Sequence, residues 1–404
     1  MSLPTSTDDG LTNAAEEALQ GESGALQAGQ AKRSPLDAWH RSAGAKMVPF
    51  AGYDMPIQYD GIVSEHQSCR TRAAVFDVSH MGRLRFDGDQ AAEFLDHALT
   101  RRVSDLRVGS VRYAMVCRED GGVLDDVLVS QLETPSSQRY HLLVVNASNR
   151  DKILHHLGDL MSDFPRVTMS DRTDLTAMIA VQGPLAVAIC KRLLDFDPSR
   201  LKNYQARITE QMSKPVIVSR TGYTGEDGLE LIVRQDHAHR VWENVLLAGR
   251  EAGIAPAGLG ARDTLRMEAA MPLYGHELNE TIDPISAGLS FACDLENREF
   301  IGRDAIQKAH QDGTPRRRIG LSIKGKRPAR EGCHVVDSSG SVVGTITSGG
   351  PSPTLGNPIA MAMVDSECLS HPNGQIGGIL QVDIRGRLTD AVVTRLPFYR
   401  RSQS

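Results

Sequence analysis

The stretch VRYAMVCREDGGVLDDVLVSQLE, residues 111–133, carries the pattern from which the fold can be worked out. It holds two apolar runs separated by the turn-forming tetrapeptide EDGG, and a third run, RYHLLVVNA (residues 139–147), follows after PSS. Apolar runs of this length, bounded by Gly, Pro, Asp and Ser, are typical of strands joined by tight turns. The stretch therefore predicts a three-stranded antiparallel meander.

Helical and strand-like segments alternate on both sides of this meander, from residue 34 to about residue 303. This mixture predicts an α+β fold. Beyond residue 314 the chain changes to short runs such as SVVGTITSG and ILQVDI, separated by Gly, Pro and Ser, which are typical of a small all-β barrel. We therefore divide the chain into residues 1–33, an α+β region at 34–305 and a C-terminal β-barrel domain at 306–404.

The first 33 residues differ in composition from everything that follows. They contain no aromatic residue and few large aliphatic ones, so we expect disorder. They lack the apolar core of a signal peptide and carry five acidic residues, whereas transit peptides are poor in acids. A cytoplasmic location is the simplest interpretation.

The composition of the whole chain excludes several classes of protein. The 404 residues carry a formal net charge of -5, without the basic footprint of a nucleic-acid-binding protein. No apolar run reaches the roughly 18 residues that a membrane-spanning helix needs. The 6 cysteines are scattered without a CxxC pair or a nearby histidine at metal-ligand spacing, so we expect thiols and no metal site.

Two adjacent carboxylates, Asp125 and Asp126, stand at the start of an apolar run directly after Gly121 and Gly122. Neighbouring side chains on a strand point to opposite faces, so only one of the two acids can face a given site. A carboxylate at the end of such a strand suits a ligand site. It is equally typical of a strand-end turn, where Asp accepts local backbone hydrogen bonds.

Two further stretches combine glycine with functional side chains. In SRTGYTGEDGLELIV (residues 219–233), glycines spaced by three would let the backbone approach a ligand closely, beside Tyr223 and Glu230. A carboxylate next to an aromatic ring suits a flat heterocycle with two adjacent N–H donors, although a tight hairpin explains the glycines as well. The absence of GK[ST] excludes a phosphate loop.

The stretch PAGLGARDTLRMEA (residues 256–269) predicts a helix that begins near Ala261. Asp263 stands where a dinucleotide fingerprint would need its last glycine, so we reject a nucleotide site. Arg262 in the first turn opposes the helix dipole, which indicates a carboxylate partner in a site or in an ordinary surface salt bridge. A basic cluster that includes Arg316, Arg317 and Arg318 could steer an acidic partner, or could be a solvated face.

These stretches occur together with GAKMVPFAGYDMPIQY, VFDVSHMG and ITSGGPSPTLG, and in this order they resemble the aminomethyltransferase family, the T-proteins of the glycine cleavage system. The resemblance covers about residues 34–400. It implies an interwoven two-part folate-binding α+β region followed by the C-terminal barrel. It also implies a reaction in which an aminomethyl group on the lipoyl arm of H-protein gives its one-carbon unit to tetrahydrofolate, yielding 5,10-methylenetetrahydrofolate, ammonia and reduced lipoyl.

The resemblance implies roles for particular residues. The second acid of the pair, Asp126, is the catalytic candidate, and by strand alternation Asp125 is structural. Residues implied to bind folate are Tyr113, Tyr223, Glu230, Arg262 and, near the folate tail, Arg400. Ser130 stands where some relatives have tyrosine, so the resemblance does not imply a pocket contact at this position. Arg316, Arg317 and Arg318 are implied to receive the acidic, lipoylated H-protein.

The same resemblance implies tetrahydrofolate as co-substrate, with no metal, flavin or nucleotide, and no nucleic acid or membrane as partner. Two rival functions share the fold. One is a folate-dependent demethylase, which the retained Asp126 disfavours. The other is a non-catalytic folate-binding module, whose KGCYxGQE-type motif is replaced here by NREFIGRDA (residues 297–305).

Overall fold

The computed structural model describes residues 31–401. Its α-helices, in chain order, are α1 (Asp37–Ser42), α2 (Ile62–Thr71), α3 (Ala91–Ala98), α4 (Arg150–Leu160), α5 (Ala186–Lys191), α6 (Ala238–Gly249), α7 (Leu259–Glu268) and α8 (Arg303–Asp312).

The strands before the barrel, in chain order, are β1 (Lys32–Arg33), β2 (Lys46–Phe50), β3 (Tyr53–Gln58), β4 (Ala74–Asp77), β5 (Gly82–Asp87), β6 (Val111–Cys117), β7 (Val123–Glu133), β8 (Arg139–Val145), β9 (Thr168–Asp171), β10 (Thr176–Gln182), β11 (Ala206–Gln211), β12 (Lys214–Ser219), β13 (Gly228–Arg234) and β14 (Ala255–Pro256). The strands of the barrel are β15 (Arg316–Ile323), β16 (His334–Val336), β17 (Val342–Pro351), β18 (Pro358–Asp365), β19 (Ile379–Ile384) and β20 (Arg387–Thr394).

The predicted meander is confirmed as β6, β7 and β8, which pair antiparallel inside a five-stranded sheet of order β6-β7-β8-β5-β9. A register shift between Val116 and Cys117 marks the turn into β7. Asp126 of β7 lies opposite Met115 of β6, so the acidic pair sits beside a paired strand and not in an open loop.

The two sheets of the α+β region are interwoven along the chain. The six-stranded sheet has the order β11-β12-β13-β10-β4-β14, and its strand β4 precedes the whole five-stranded sheet in sequence. Strand β4 returns to its sheet through antiparallel pairing with β10, where Phe76 lies opposite Ala180. The expectation of two interwoven parts is therefore confirmed.

The two sheets pack against each other through one shared apolar cluster. Phe76 and Ala180 of the six-stranded sheet are buried together with Leu142 and Val144 of the five-stranded sheet. Strand β13 runs through the centre of its sheet, which explains its almost continuous apolar sequence: a central strand covered on both faces needs no polar alternation. This packing sets the separation at which residues of β7 and β13 face each other.

The C-terminal strands form a closed barrel of order β15-β18-β17-β16-β19-β20, as the change of composition after residue 314 predicts. Closure pairs every strand on both sides, which removes exposed sheet edges. After β20 the chain leaves the barrel and runs back to the α+β region, where the Tyr399 backbone N–H donates to the Glu268 carbonyl of α7 at 2.8 Å. The last described residues are thereby held against the helix that carries Arg262.

Most of the predicted disordered extension, residues 1–30, lies outside the described residues. Its final residues differ from the prediction, because β1 pairs in parallel with β3 and the Lys32 backbone N–H donates to the Gly52 carbonyl at 2.8 Å. The domain boundary between residues 305 and 306 stays a prediction; both positions belong to α8. Within residues 31–401, no helix has the length and apolar character required to cross a bilayer.

Candidate active site

A cavity of about 630 Å³ lies where the two sheets, helix α7, the barrel and the C-terminal segment meet. The structure brings all six residues of the predicted catalytic and folate-binding set to its wall: Tyr113, Asp126, Tyr223, Glu230, Arg262 and Arg400. These residues come from distant parts of the chain, so the cavity exists only in the folded protein.

Asp126 enters the cavity wall from β7, on the same side of the strand as Leu128. The Tyr113 hydroxyl donates to Asp126 Oδ2 at 3.0 Å, and Asn146 Nδ2 donates to Asp126 Oδ1 at 2.8 Å. A carboxylate offers about four acceptor positions, so two donors leave acceptor capacity for a ligand. Burial raises the pKa of Asp126, while these two hydrogen bonds oppose the rise.

Asp125 points away from the cavity and is fully buried, as strand alternation predicts. Its Oδ1 accepts from Asn146 Nδ2 at 2.8 Å and Asn149 Nδ2 at 2.6 Å, and its Oδ2 accepts from the Asn146 backbone N–H at 3.0 Å. Burial and the neighbouring Asp126 both raise the pKa of Asp125. Its contacts hold the start of α4 and Asn146 against β7, which is a structural role.

Asn146 links the two acids and was missed by the sequence analysis. Its single amide group reaches Asp125 Oδ1 and Asp126 Oδ1 at 2.8 Å each. The signal that could have identified it is its place directly after β8, the strand that the meander sets beside β7. A polar residue at that strand end lies next to the acidic pair.

Glu230 lies on β13 at the inner side of the cavity and is only 5% exposed. The Thr221 hydroxyl donates to Glu230 Oε2, which leaves Oε1 facing the cavity without a donor among the described residues. Burial raises the pKa of Glu230, while the Thr221 hydrogen bond and the positive charge of Arg262 lower it. A buried acid of this kind suits a ligand that brings its own N–H donors.

The glycines of the loop before β13 serve packing more than ligand approach. A Cβ atom on Gly222 would lie 1.9 Å from Gln182 Oε1, and one on Gly228 would lie 2.5 Å from Gln182 Nε2. Gln182 is buried, donates to the Thr221 carbonyl at 3.1 Å and accepts from the Thr224 hydroxyl at 3.0 Å. This amide therefore holds the loop that presents Tyr223.

Tyr223 and Arg262 form one side of the cavity together. The Arg262 guanidinium lies 4.7 Å from the centre of the Tyr223 ring, a cation–π distance, and the Tyr223 hydroxyl donates to the Pro272 carbonyl at 2.5 Å. Arg262 Nη1 is buried without a hydrogen-bond partner among the described residues. The surface salt bridge considered for Arg262 is absent there, and the free N–H groups point to a ligand.

The three arginines of the predicted basic cluster do not share one surface in the structure. Arg316 is exposed and pairs with Asp365 at 3.1 Å, and Arg317 is exposed as well. Arg318 differs from the prediction, because its side chain lines the cavity instead of the outer face of the barrel. The physical reason is the docking of β15 beside the cavity, where the Arg318 backbone N–H donates to the Ser286 carbonyl at 2.9 Å and its Nη1 donates to the Ala270 carbonyl at 3.2 Å.

Other cavity residues were not anticipated. His80, Tyr204 and Phe291 line the wall too, whereas Arg400 is the exposed member of the predicted set, and its contact with a folate tail stays a prediction. Burial lowers the pKa of His80 to about 3, so its ring is neutral at physiological pH. Ser130 lies buried in β7 and is absent from the cavity wall. Within residues 31–401, no group of His, Cys, Asp and Glu side chains is arranged to hold a metal ion.

Family models and known proteins match the chain over most of its length. Residues 36–297 match the GCVT N-terminal domain, and residues 316–400 match the glycine cleavage T-protein C-terminal barrel domain. A protein of Streptomyces coelicolor named aminomethyltransferase is 44% identical over 376 residues, covering 92% of this chain and 98% of its own. The protein of that name from Bacillus subtilis is 40% identical over 377 residues, covering 92% and 99%.

A solved structure is also similar over nearly the whole length. The crystal structure of the glycine cleavage system aminomethyltransferase T from Bartonella henselae superposes with a TM-score of 0.83 at 32% identity, covering 91% of this chain and 98% of that one. The two-part region, the barrel and their arrangement are therefore shared with that protein.

Proposed function

The chain belongs to the glycine cleavage T-protein family of aminomethyltransferases, and we propose that the cavity around Asp126 is where it carries out the tetrahydrofolate-dependent transfer that is standard in this family. In that reaction the one-carbon unit of an aminomethyl group on a lipoyl sulfur passes to tetrahydrofolate, and ammonia and the reduced lipoyl group are released. The observation that carries the proposal is the meeting of Asp126, Glu230 and Tyr223 in one cavity.

The residues present fit a reduced folate as co-substrate. The pterin ring offers its 2-amino group and N3–H as two parallel donors, and Glu230 has an oxygen without a donor among the described residues. Paired N–H donors to a carboxylate form charge-assisted hydrogen bonds of good geometry. Tyr223 supplies a flat ring face near the same point, held in place by its own hydroxyl contact. We assign Glu230 to the pterin and Tyr223 and Tyr113 to the walls of its pocket.

Asp126 is proposed to act on the bond that breaks. As the carbon–sulfur bond of the aminomethyl donor lengthens, its electrons stay with sulfur and positive charge develops on the one-carbon unit. Tyr113 and Asn146 hold the Asp126 carboxylate in a fixed direction, so it needs no reorientation to stabilise that charge. Its remaining acceptor positions can orient the N5–N10 edge of the folate.

Tyr113 is suited to this task because its hydroxyl remains protonated. Burial and the charge of Asp126 raise the pKa of Tyr113 well above its usual value. It therefore donates a hydrogen bond to the carboxylate at every physiological pH. This contact favours the ionised form of Asp126 against the effect of burial.

The lipoylated H-protein is the proposed donor, and Arg316 and Arg317 are proposed to help receive it. Both side chains are exposed on β15, and an acidic partner would be steered by exposed positive charge. The contribution is expected to be modest because Asp365 already pairs with Arg316. Reversing Arg316 and Arg317 to Glu should raise the apparent KM for H-protein at low salt, and an unchanged KM would refute docking at this surface.

The decisive experiment is ammonia release from aminomethyl-loaded H-protein, measured with and without tetrahydrofolate. Strong folate-dependent release is expected. Release without folate dependence, or folate binding without release, would favour the demethylase or the non-catalytic module. The cytoplasmic location inferred from residues 1–33 stays a prediction, and fractionation of the producing cell would test it.

A further inference from the structure

Arg318 is a barrel residue whose side chain reaches into the cavity of the α+β region. Its backbone N–H donates to the Ser286 carbonyl at 2.9 Å, which ties the start of β15 to the loop beside the cavity. Its guanidinium donates from Nη1 to the Ala270 carbonyl at 3.2 Å and lies 3.8 Å from Met361 Sδ. These contacts are neutral, and none of them balances the positive charge.

The guanidinium of Arg318 has no acidic partner within residues 31–401, and its Nε is buried without any hydrogen bond. Arg266, which also lines the cavity wall, differs from Arg318 because its charge is balanced. It forms salt bridges with Asp263 at 2.8 Å and with Glu277 at 3.0 Å. Arginine stays protonated in proteins, so a half-buried guanidinium without a counter-charge is costly. A ligand that brings a negative charge would remove this cost.

The two acids of the cavity cannot bind one part of the co-substrate, the folate tail with its carboxylates. Glu230 and Asp126 can accept N–H groups or stabilise positive charge, but they repel the carboxylates of a folate tail. Burial lowers the pKa of Arg318, and the charges of the Glu277–Arg266 pair and the Tyr113 and Tyr223 hydroxyls act on it as well. Arg318 belongs to the barrel strand β15 and lines the same cavity as the two tyrosines.

We propose that Arg318 is a specificity-determining residue that binds a carboxylate of the folate glutamate tail. The inference rests on the proposed function, because it presumes that the same cavity holds tetrahydrofolate. Arg400 lies exposed at the rim, whereas Arg318 lies deeper and half-buried. Two arginines at different depths suit the two carboxylates of one glutamate, and a guanidinium can bind each carboxylate through two parallel hydrogen bonds.

The test compares two ligands by calorimetry in the absence of H-protein. One is tetrahydrofolate; the other is tetrahydropteroyl N-methylamide, which keeps the pterin, the benzoyl ring and the amide but lacks both tail carboxylates. Arg318→Met should weaken tetrahydrofolate binding about ten- to a hundredfold and leave the amide almost unaffected. Arg318→Lys should recover part of the lost affinity, because lysine keeps the positive charge but lacks the planar guanidinium that binds a carboxylate through two parallel hydrogen bonds. Arg387→Met, on an exposed barrel position, is the matched control and should change neither.

The outcomes separate this inference from the proposed function. Equal weakening of both ligands by Arg318→Met and Arg318→Lys would mean that Arg318 shapes the cavity and does not contact the tail. Unchanged binding of both ligands would remove the inference and leave the folate site intact. Failure of the unmodified enzyme to bind either ligand would instead overturn the folate site itself. Thermal unfolding of each variant shows whether the cavity is folded when it is tested.

Discussion

Two groups of buried acids, one at the junction of α7 and the barrel and one in the cavity wall, have different environments. Glu268, at the junction of α7 and the barrel, is fully buried and saturated with donors: Arg70 Nη2 at 2.8 Å, the Ser352 hydroxyl at 2.5 Å, and the Thr354 backbone N–H and hydroxyl at 3.0 and 2.7 Å. Asp126 and Glu230, in the cavity wall, have fewer donors than their oxygens can accept.

The pKa values follow this difference. Burial alone would raise the pKa of Glu268, but its hydrogen bonds, from His66 and from the two hydroxyls, lower it to about 2. Burial raises the pKa of Asp126 and of Glu230 because their donors do not compensate for lost water. A saturated buried acid therefore stabilises the fold, whereas an unsaturated one facing a cavity is prepared for a ligand.

Removing Glu268 should have the largest effect and should act on stability. Glu268→Ala leaves the buried Arg70 guanidinium without its main counter-charge, and breaking a buried ion pair from one side costs about 3–5 kcal/mol. Urea unfolding followed by fluorescence measures this loss. Glu243→Ala, at an exposed position of α6, should stay within about 0.5 kcal/mol of the unmodified protein. A loss below about 1 kcal/mol for Glu268→Ala would contradict the assignment of this acid to the fold.

Replacing Asp126 should act on turnover instead. Asp126→Asn should lower kcat by about 10²–10³-fold, equivalent to roughly 3–4 kcal/mol of charge stabilisation in the transition state. Folate affinity and unfolding temperature should change little, since the amide keeps the shape of the side chain. Single-turnover rates with loaded H-protein measure the effect, with the exposed Asp159→Asn as control. An equal loss of kcat and of folate affinity would show that Asp126 only binds.

Replacing Glu230 should act mainly on binding. Glu230→Gln keeps the volume but sets an amide donor against the donors of the pterin, so tetrahydrofolate affinity should fall about ten- to a hundredfold. Turnover at saturating folate should fall much less. Calorimetric titration with tetrahydrofolate checks this, and unchanged affinity would remove Glu230 from the pterin site.

The smallest expected effect is the pH dependence of kcat and of stability, which should differ between the two groups of acids. Because the pKa of Asp126 is raised, the carboxylate is protonated earlier as pH falls, and kcat at saturating folate should decline on the acid side. The apparent pKa of that decline belongs to the coupled Asp125–Asp126 pair. Glu268 contributes stability above its unfolded pKa of 4.5, and this stability is lost only as pH falls towards 2.

Fluorescence should accordingly report a folded protein over the pH range in which kcat declines, because the stability that Glu268 contributes is lost only as the pH falls towards 2. The acid decline should disappear in Asp126→Asn. A decline of the same shape in that variant would assign the titration to another group.

Local patterns were sufficient for several features of this protein. The apolar runs of residues 111–147 indicate the meander because strand and turn preferences act over a few residues. Alternation along β7 separates Asp126 from Asp125 for the same reason. The short strands after residue 314 indicate the barrel, and the order of motifs indicates the family, whose implied residues meet in one cavity.

Other features depend on contacts between residues that are far apart in the chain. Asn146 reaches both acids only because β8 pairs with β7, and Gln182 explains the glycine loop only because β10 pairs with β13. Arg318 belongs to a run of three arginines whose sequence does not tell which one faces the cavity. That direction follows from how β15 docks beside Ser286 and Ala270. Such contacts form when sheets, helix and barrel pack together, and no local preference along the chain encodes them.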